Sequence, residues 1–295
     1  MRKNVAESVR ERLYRREPVF SFEFFPPKDD KGMETLEKSL VELARLNPAF
    51  VSVTCGAAGS TRNLTRDLVL SMQERFEFGV MAHITAMGYS RTELADLVAD
   101  YVRKGVRNFL ALRGDPPRDA PGWEAPADQA ANAREVVEII RRVAPADVSV
   151  GVAGYPEKHP DAPDMEEDLR HLGEKVAAGA DFVVTQLFFD NEAYFDFVKE
   201  ARRHGVRVPI LPGIMPVTRV GQIERFRDLC KVGVDGVEGL FADEETVKRG
   251  AGVAYAAAQC ADLLRRGAYG VHFYTLNQSR ACHALYGILR AMGWE

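Results

Sequence analysis

The chain has 295 residues and a mass of 32.8 kDa, with 46% hydrophobic and 28% charged side chains, the mixture of a globular protein with a sizeable core. Its 39 Lys and Arg against 43 Asp and Glu leave a formal charge of −4, so composition makes no case for a nucleic-acid partner. No apolar run approaches the ~20 residues that cross a bilayer, so no membrane partner is expected.

At the N-terminus, MRKNVAESVRERLYRRE is charged throughout and lacks the apolar stretch of a secretory signal. A cytoplasmic protein is the expectation. Cys55, Cys230, Cys260 and Cys282 lie far apart, with no CxxC and no Cys/His cluster at zinc-ligand spacing. They read as reduced, mostly buried thiols, and no metal site is expected.

Eight short β-rich runs then follow one another, each trailed by a stretch of helical periodicity. They are PVFSFEFF from Pro18, FVSVTCG from Phe50, GVMAHITAM from Gly79, NFLALRG from Asn108, VSVGVAGYP from Val148, FVVTQLFF from Phe182, PILPGIMP from Pro209 and GVHFYTLN from Gly270. Their starts are 32, 29, 29, 40, 34, 27 and 61 residues apart, against roughly 30 residues per βα unit. Residues 92–102, 165–179 and 192–205 carry the clearest helical spacing, each closed by a glycine. Residues 116–131 read as a long Pro/Ala/Asp-rich loop, and residues 233–267 hold an extra helix that includes GVAYAAAQCADLL. No linker divides the chain. The expected fold is therefore a single α/β domain over residues 1–295, a (β/α)8 TIM barrel with extra helix before the last strand. A doubly wound sheet is the alternative, and eight evenly spaced units favour closure.

In such a barrel the active site lies at the C-terminal ends of the strands. Those ends carry Glu23, Thr54, His83, Arg113-Gly114-Asp115, Tyr155 with His159, Gln186 and Asn277. Polar groups in apolar strands must find partners or face a ligand. Glu23, flanked by Phe22, Phe24 and Phe25, is expected to have a raised pKa suited to general-acid work, or else to be a structural glutamate paired with an arginine or lysine inside the barrel. Arg113 offers a phosphate grip and Gly114 close backbone approach, although spacing alone favours a proline-closed Arg–Asp turn. His83 reads first as a hydrogen-bonded core histidine. The loop from Tyr155 to His159 either clasps a ligand or merely connects strand to helix. Asp168, His171 and Lys175 share one helix face, either a phosphate-ligand wall or a solvated surface with an ion pair. Neither GxGxxG nor GxxxxGK[ST] is present, nor GxSxG or HExxH.

Taken together, SFEFFPPK, FVSVTCGAAGS, MAHITAMG, LALRGDPP, VAGYPEKHP, AGADFVVTQLFFD, ILPGIMPVT and GVHFYTLNQS run in order over nearly the whole chain. In these strings the sequence resembles the methylenetetrahydrofolate reductases, of the compact bacterial type. The resemblance implies a barrel that holds FAD at its C-terminal face without a Rossmann motif. It implies ping-pong reduction of 5,10-methylenetetrahydrofolate to 5-methyltetrahydrofolate by NADH or NADPH, in one-carbon metabolism and methionine supply. By matching position, Glu23 would assist opening of the folate imidazolidine ring. Asp115 would sit near the flavin ring and the pterin. Gln186, Gln222 and Phe226 would receive the substrates. Thr54, His83, Arg113, Gly114, Tyr155, His159, Asp168 and Lys175 would line the FAD site, with Lys175 at the pyrophosphate.

Some members of the family have Asn and Arg where this chain has His171 and Glu174, so Glu174 is expected to turn outward or to loosen FAD. Gln278 stands where an arginine often follows TLN. With Glu295 just after the last expected barrel unit, a compact enzyme lacking the regulatory extension of the eukaryotic members is the expectation. A homo-oligomer is the expected assembly. Two other readings remain: another flavin barrel, such as a proline dehydrogenase-like oxidoreductase, and a non-redox pterin-binding barrel.

Overall fold

The computed structural model describes residues 4–56, 61–117, 122–219, 221–223, 227, 233–234 and 245–294. Eight parallel strands close into a barrel in chain order: β1 Val19–Phe24, β2 Phe50–Val53, β3 Gly79–Thr85, β4 Asn108–Leu112, β5 Ser149–Gly154, β6 Phe182–Leu187, β7 Ile210–Ile214 and β8 Gly270–Tyr274. Closure is made by β1 against β8, with Ser21 beside His272 and Glu23 beside Tyr274. The expected (β/α)8 barrel is therefore the observed fold, and each of the eight β-rich runs supplies one strand.

The helices around it are α2 Asp30–Ala44, α3 Arg62–Arg75, α4 Arg91–Arg103, α5 Ala133–Val143, α6 Met165–Ala177, α7 Asn191–Arg203, α8 Glu245–Arg265 and α9 Ser279–Ala291. The extra helix expected before the last strand is α8. Short polar side chains start most of them by accepting a free amide of the first turn. Asp29, Asn132, Asp164 and Asp190 cap α2, α5, α6 and α7, and Ser90 with Glu93 forms a capping box on α4. In β1, Phe20, Phe22 and Phe24 point outward into a core shared with Leu36 and Leu40 of α2.

One helix is not anticipated by the sequence reading. α1, Val5–Arg15, lies across the N-terminal mouth of the barrel. Val5, Ala6 and Val9 pack there against Val19, Phe50, Met81, Leu110, Phe182 and Leu211. Its first amides are satisfied by barrel side chains: Val5 N–H donates to Asn108 Oδ1 (2.7 Å) and Ala6 N–H to Ser149 Oγ (3.0 Å). The floor is thus apolar and closed, and the polar ends of the strands face the other way. Cys260 and Cys282 are buried and Cys55 half-buried, all three as free thiols, and Cys230 lies outside the described residues. Among the described residues no helix is long and apolar enough to cross a membrane.

Candidate active site

Side chains along a strand alternate between its two faces. With Phe22 and Phe24 turned outward, Glu23 points into the barrel, and the phenylalanines beside it in sequence do not surround it. Its Oε2 instead lies 3.4 Å from His83 Nε2 of β3 and 3.5 Å from both His272 Nε2 of β8 and Ser52 Oγ of β2. Burial pushes the Glu23 carboxyl up. The His272 contact, the fields of His83 and His272, and the Ser52 hydroxyl together outweigh burial and hold it below its ordinary value. The expected raised pKa is therefore corrected. Burial carries His83 down to about 4, against the pull of the Glu23 charge, so its imidazole is neutral at pH 7.

The loop after β8 secures the end of β1. Thr275 Oγ1 donates to the Glu23 carbonyl (2.6 Å). Asn277, buried and in the left-handed region at φ 57°, accepts from Phe25 N–H (2.9 Å) and donates to Phe25 O (2.7 Å). Asparagine tolerates that backbone better than most residues.

A second group lines a cavity of about 500 Å³ at the ends of β4 and β5 and the starts of α5 and α6. Arg113, Tyr155, His159, Asp168, His171 and Lys175 are all in its wall. Lys175 is buried and donates to Ala153 O (2.6 Å), and burial lowers its ammonium to about 8 despite the nearby Asp168. Asp168 Oδ2 accepts from His159 N–H (2.9 Å), and the Tyr155 ring meets the His159 ring edge-on at 4.6 Å. Burial and the Arg113 charge push the His159 imidazole down. Arg113 pairs with Asp161 at 2.8 Å, closer than its 3.9 Å approach to Asp115. The Arg113 hydrogen bond holds Asp161 below its usual range.

Glu174 also lines the cavity, and it pairs with Arg170, which bonds Glu167 as well. His171 Nε2 lies 3.2 Å from Glu167. The acid that the sequence places on this wall is thus partly neutralised by a helix neighbour.

Other residues singled out from the sequence neither line the cavity nor touch the Glu23 carboxylate. Asp115 is largely exposed, its side chain at 78%. Gly114 adopts φ +79°, and a Cβ there would meet Thr85 Cβ at 2.9 Å, so glycine is required. Thr54 is half-buried and bonded through its backbone to Phe24 and Thr65. Gln186 Oε1 accepts from Leu187 N–H (2.8 Å). Gln222 Oε1 closes its own turn, accepting from Thr218 N–H (2.7 Å) and Arg219 N–H (3.0 Å). Gln278 is exposed at the start of α9. Phe226 lies outside the described residues.

Sequence reasoning missed His272, Ser21 and Ser52. Their signal was a polar residue at every second position of an otherwise apolar strand, as in Ser21-Phe22-Glu23. It also missed Asp161. Among the described residues no three His, Cys, Asp or Glu side chains are grouped to hold a metal ion.

A closed parallel barrel with polar side chains and a ligand-sized cavity at its C-terminal face is the architecture of a (β/α)8-barrel enzyme. The profile of the methylenetetrahydrofolate reductase family matches residues 8–290. The 5,10-methylenetetrahydrofolate reductases of Salmonella typhimurium and Escherichia coli are 39% and 37% identical, each over 90% of this chain and 88% of their own. Methylenetetrahydrofolate reductase (NADH) 1 of Arabidopsis thaliana is 33% identical over 98% of this chain, which spans 50% of that longer protein. The chain belongs to the methylenetetrahydrofolate reductase family, and so to the oxidoreductases of folate one-carbon metabolism. In fold it resembles a Clostridium thermocellum protein described as binding two copies of 5-methyl-5,6,7,8-tetrahydrofolic acid, with a TM-score of 0.63 at 14% identity over 96% of this chain and 98% of that one.

Proposed function

We propose that the protein reduces 5,10-methylenetetrahydrofolate to 5-methyltetrahydrofolate in the cytoplasm, with NADH or NADPH as electron donor and FAD held in the 500 Å³ cavity. One observation carries the reading: the family match spans residues 8–290, so the cavity and the half-buried Glu23 both lie within it. Bound FAD would supply hydride transfer between the nicotinamide and the folate, chemistry that no side chain provides.

The cavity suits that cofactor. Lys175 makes one hydrogen bond among the described residues and has two further protons for a pyrophosphate. Arg113 adds a second cation, and the helix starts at Asn132 and Asp164 present amide dipoles to the same space. Tyr155, His159 and Asp168 complete that wall, with Thr54, His83, Gly114 and Asp115 assigned to the flavin end by family position.

Glu23 is the proton donor in this reading. It is ionised in the free protein at neutral pH, so its acid form must be favoured when folate covers the barrel mouth and excludes water. The reaction takes up one proton per turnover, and Glu23 delivers it to the folate amine as the ring opens. Asp115 places negative charge near the flavin and pterin, and Gln186, Gln222 and Phe226 contact the substrates.

The test is an anaerobic visible spectrum of the purified protein, titrated first with NADH or NADPH and then with methylenetetrahydrofolate. A yellow protein that bleaches and then recovers bears the reading out and identifies the donor. A protein that stays colourless after FAD is added overturns it.

A further inference from the structure

The Glu23 carboxylate is held from behind by a histidine 249 positions away, whose every other contact is fixed. His272 is 1% exposed. Its Nδ1 lies 2.8 Å from the hydroxyl of the equally buried Ser21. Its ring stacks on Phe50 at 5.7 Å and 17°, and meets Tyr274 edge-on at 5.4 Å. Tyr274 is itself anchored, donating its hydroxyl proton to Thr185 O (2.6 Å). A ring so enclosed cannot rotate without disrupting the barrel interior, and its Nε2 therefore stays aimed at Glu23.

Three groups converge on one oxygen, Oε2: His272 Nε2 from β8, His83 Nε2 from β3 and Ser52 Oγ from β2. The other oxygen, Oε1, has no hydrogen bond among the described residues. Both imidazole Nε2 atoms are buried with no other polar partner among the described residues, so Oε2 is the group that each of them faces. The carboxylate accepts Nε2–H at Oε2, and protonation at Oε1 leaves that contact in place. The Ser21 hydroxyl can donate to or accept from Nδ1, so it supports His272 in either tautomer.

We propose that His272 is a positioning residue for Glu23: with Ser21 it fixes Oε2 inward and leaves Oε1 as the oxygen that gives its proton to the substrate. This rests on the folate reduction proposed above. In the step, the Oε1–H bond breaks as an N–H bond forms on the folate amine. The bond from that amine to the methylene carbon breaks, and the carbon, left as an iminium on the other nitrogen, takes the hydride that bound FAD would supply. Glu23 stays ionised in the open site and takes its next proton from solvent as the next folate binds. The apolar floor beneath α1 leaves the mouth as the route of return.

The test compares the two half-reactions of the FAD-loaded protein by anaerobic stopped flow, in wild type, His272→Leu, His272→Gln and Ser21→Ala. His272→Leu is expected to keep reduction by NADH or NADPH within about twofold, while reoxidation by folate slows on the order of tenfold to a hundredfold. The rate of that second step falls as Glu23 ionises. Without the imidazole the ionised form loses its support, so this falling limb moves to higher pH in the variant. His272→Gln, whose amide N–H replaces Nε2–H, should recover most of the rate and return the limb toward the wild-type position. Ser21→Ala should shift the limb in the same direction as His272→Leu, by less. A wild-type folate rate and an unmoved limb in His272→Leu overturn the proposal, as does equal loss in both half-reactions with no pH shift. If His272→Leu does not fold, an unmoved limb in both other variants overturns it. A wild-type protein that fails the bleach-and-recover titration overturns the functional reading itself, before any variant is compared.

Discussion

Lys175 Nζ lies 2.6 Å from the Ala153 carbonyl oxygen, a buried ammonium in the cavity wall whose only hydrogen bond among the described residues is to that neutral group. Burial lowers its pKa from 10.5 to about 8. For a base whose folded pKa is depressed, the unfolded chain binds more protons between the two values, so this group's contribution to stability rises with pH from about 8 to 10.5. A bound pyrophosphate favours the charged form and reverses the preference.

FAD binding should therefore take up a proton above pH 8, and the affinity should fall with rising pH, by at most about tenfold per unit. Titration of FAD followed by quenching of its fluorescence, from pH 7 to 10, reads this directly. Lys175→Met should bind FAD more weakly at pH 7 and lose that pH dependence. A wild-type affinity that is flat across the range places the pyrophosphate away from Lys175.

Glu174 faces the same cavity with its charge only partly balanced by Arg170. Glu174→Arg replaces an anion by a cation on that wall and should tighten FAD several-fold at low salt. The gain should shrink as ionic strength rises, because the side chain at this position is 39% exposed. Isothermal titration at two salt concentrations measures it. Unchanged or weaker binding would show that the phosphates do not approach this turn of α6.

How much of this was legible in the sequence depends on the distance over which each signal acts. The eight strands were readable because each is a compact apolar run followed by its own helix. The cavity-wall residues of α6 were readable because Asp168, His171 and Lys175 lie on one helical face, and all three do line the cavity. α1 escaped notice because only Val5, Ala6 and Val9 are buried in a helix otherwise dominated by charge. The surroundings of Glu23 were misread because its neighbours in the chain point to the opposite face of the strand. Its true neighbours come from β2, β3 and β8. No local pattern joins Ser21 to His272, which strand closure alone brings together.

The closed floor can be tested without touching the site. Asn108 Oδ1 accepts from Val5 N–H at 2.7 Å and its Nδ2 donates to Val80 O at 3.1 Å, both in a buried setting. Asn108→Ala strands both groups and should cost ~1–3 kcal/mol in urea unfolding. FAD affinity should not change, since the cavity lies at the other end of the barrel. A variant of undiminished stability would mean that α1 is not held down by these bonds.

Asp115 is the anion assigned to the flavin end, at the close of the Arg113-Gly114-Asp115 turn. Removing its charge should make added electron density on the flavin less unfavourable. Asp115→Asn should therefore raise the flavin midpoint potential, on the order of tens of millivolts and at the low end because the carboxylate is screened by water. Spectroelectrochemical titration of the FAD-loaded variant gives the value. An unchanged potential removes Asp115 from the flavin's electrostatic environment.

Glu23→Gln separates the two halves of the proposed reaction. The amide fills the same space and can still face His83 and His272, so FAD binding and reduction by NADH or NADPH should persist. It cannot donate a carboxyl proton, and folate reduction should fall by about 10²–10⁴. The wild-type folate step should slow as pH rises and Glu23 ionises, whereas the residual rate in the variant should lose that limb. Burial raises the Glu23 carboxyl but its neighbours lower it further, so its contribution to stability is present above the ordinary carboxylate value and is lost as pH falls through the depressed one. Glu23→Gln should remove that component of acid unfolding as well. Folate reduction at the wild-type rate would show that the proton comes from another group.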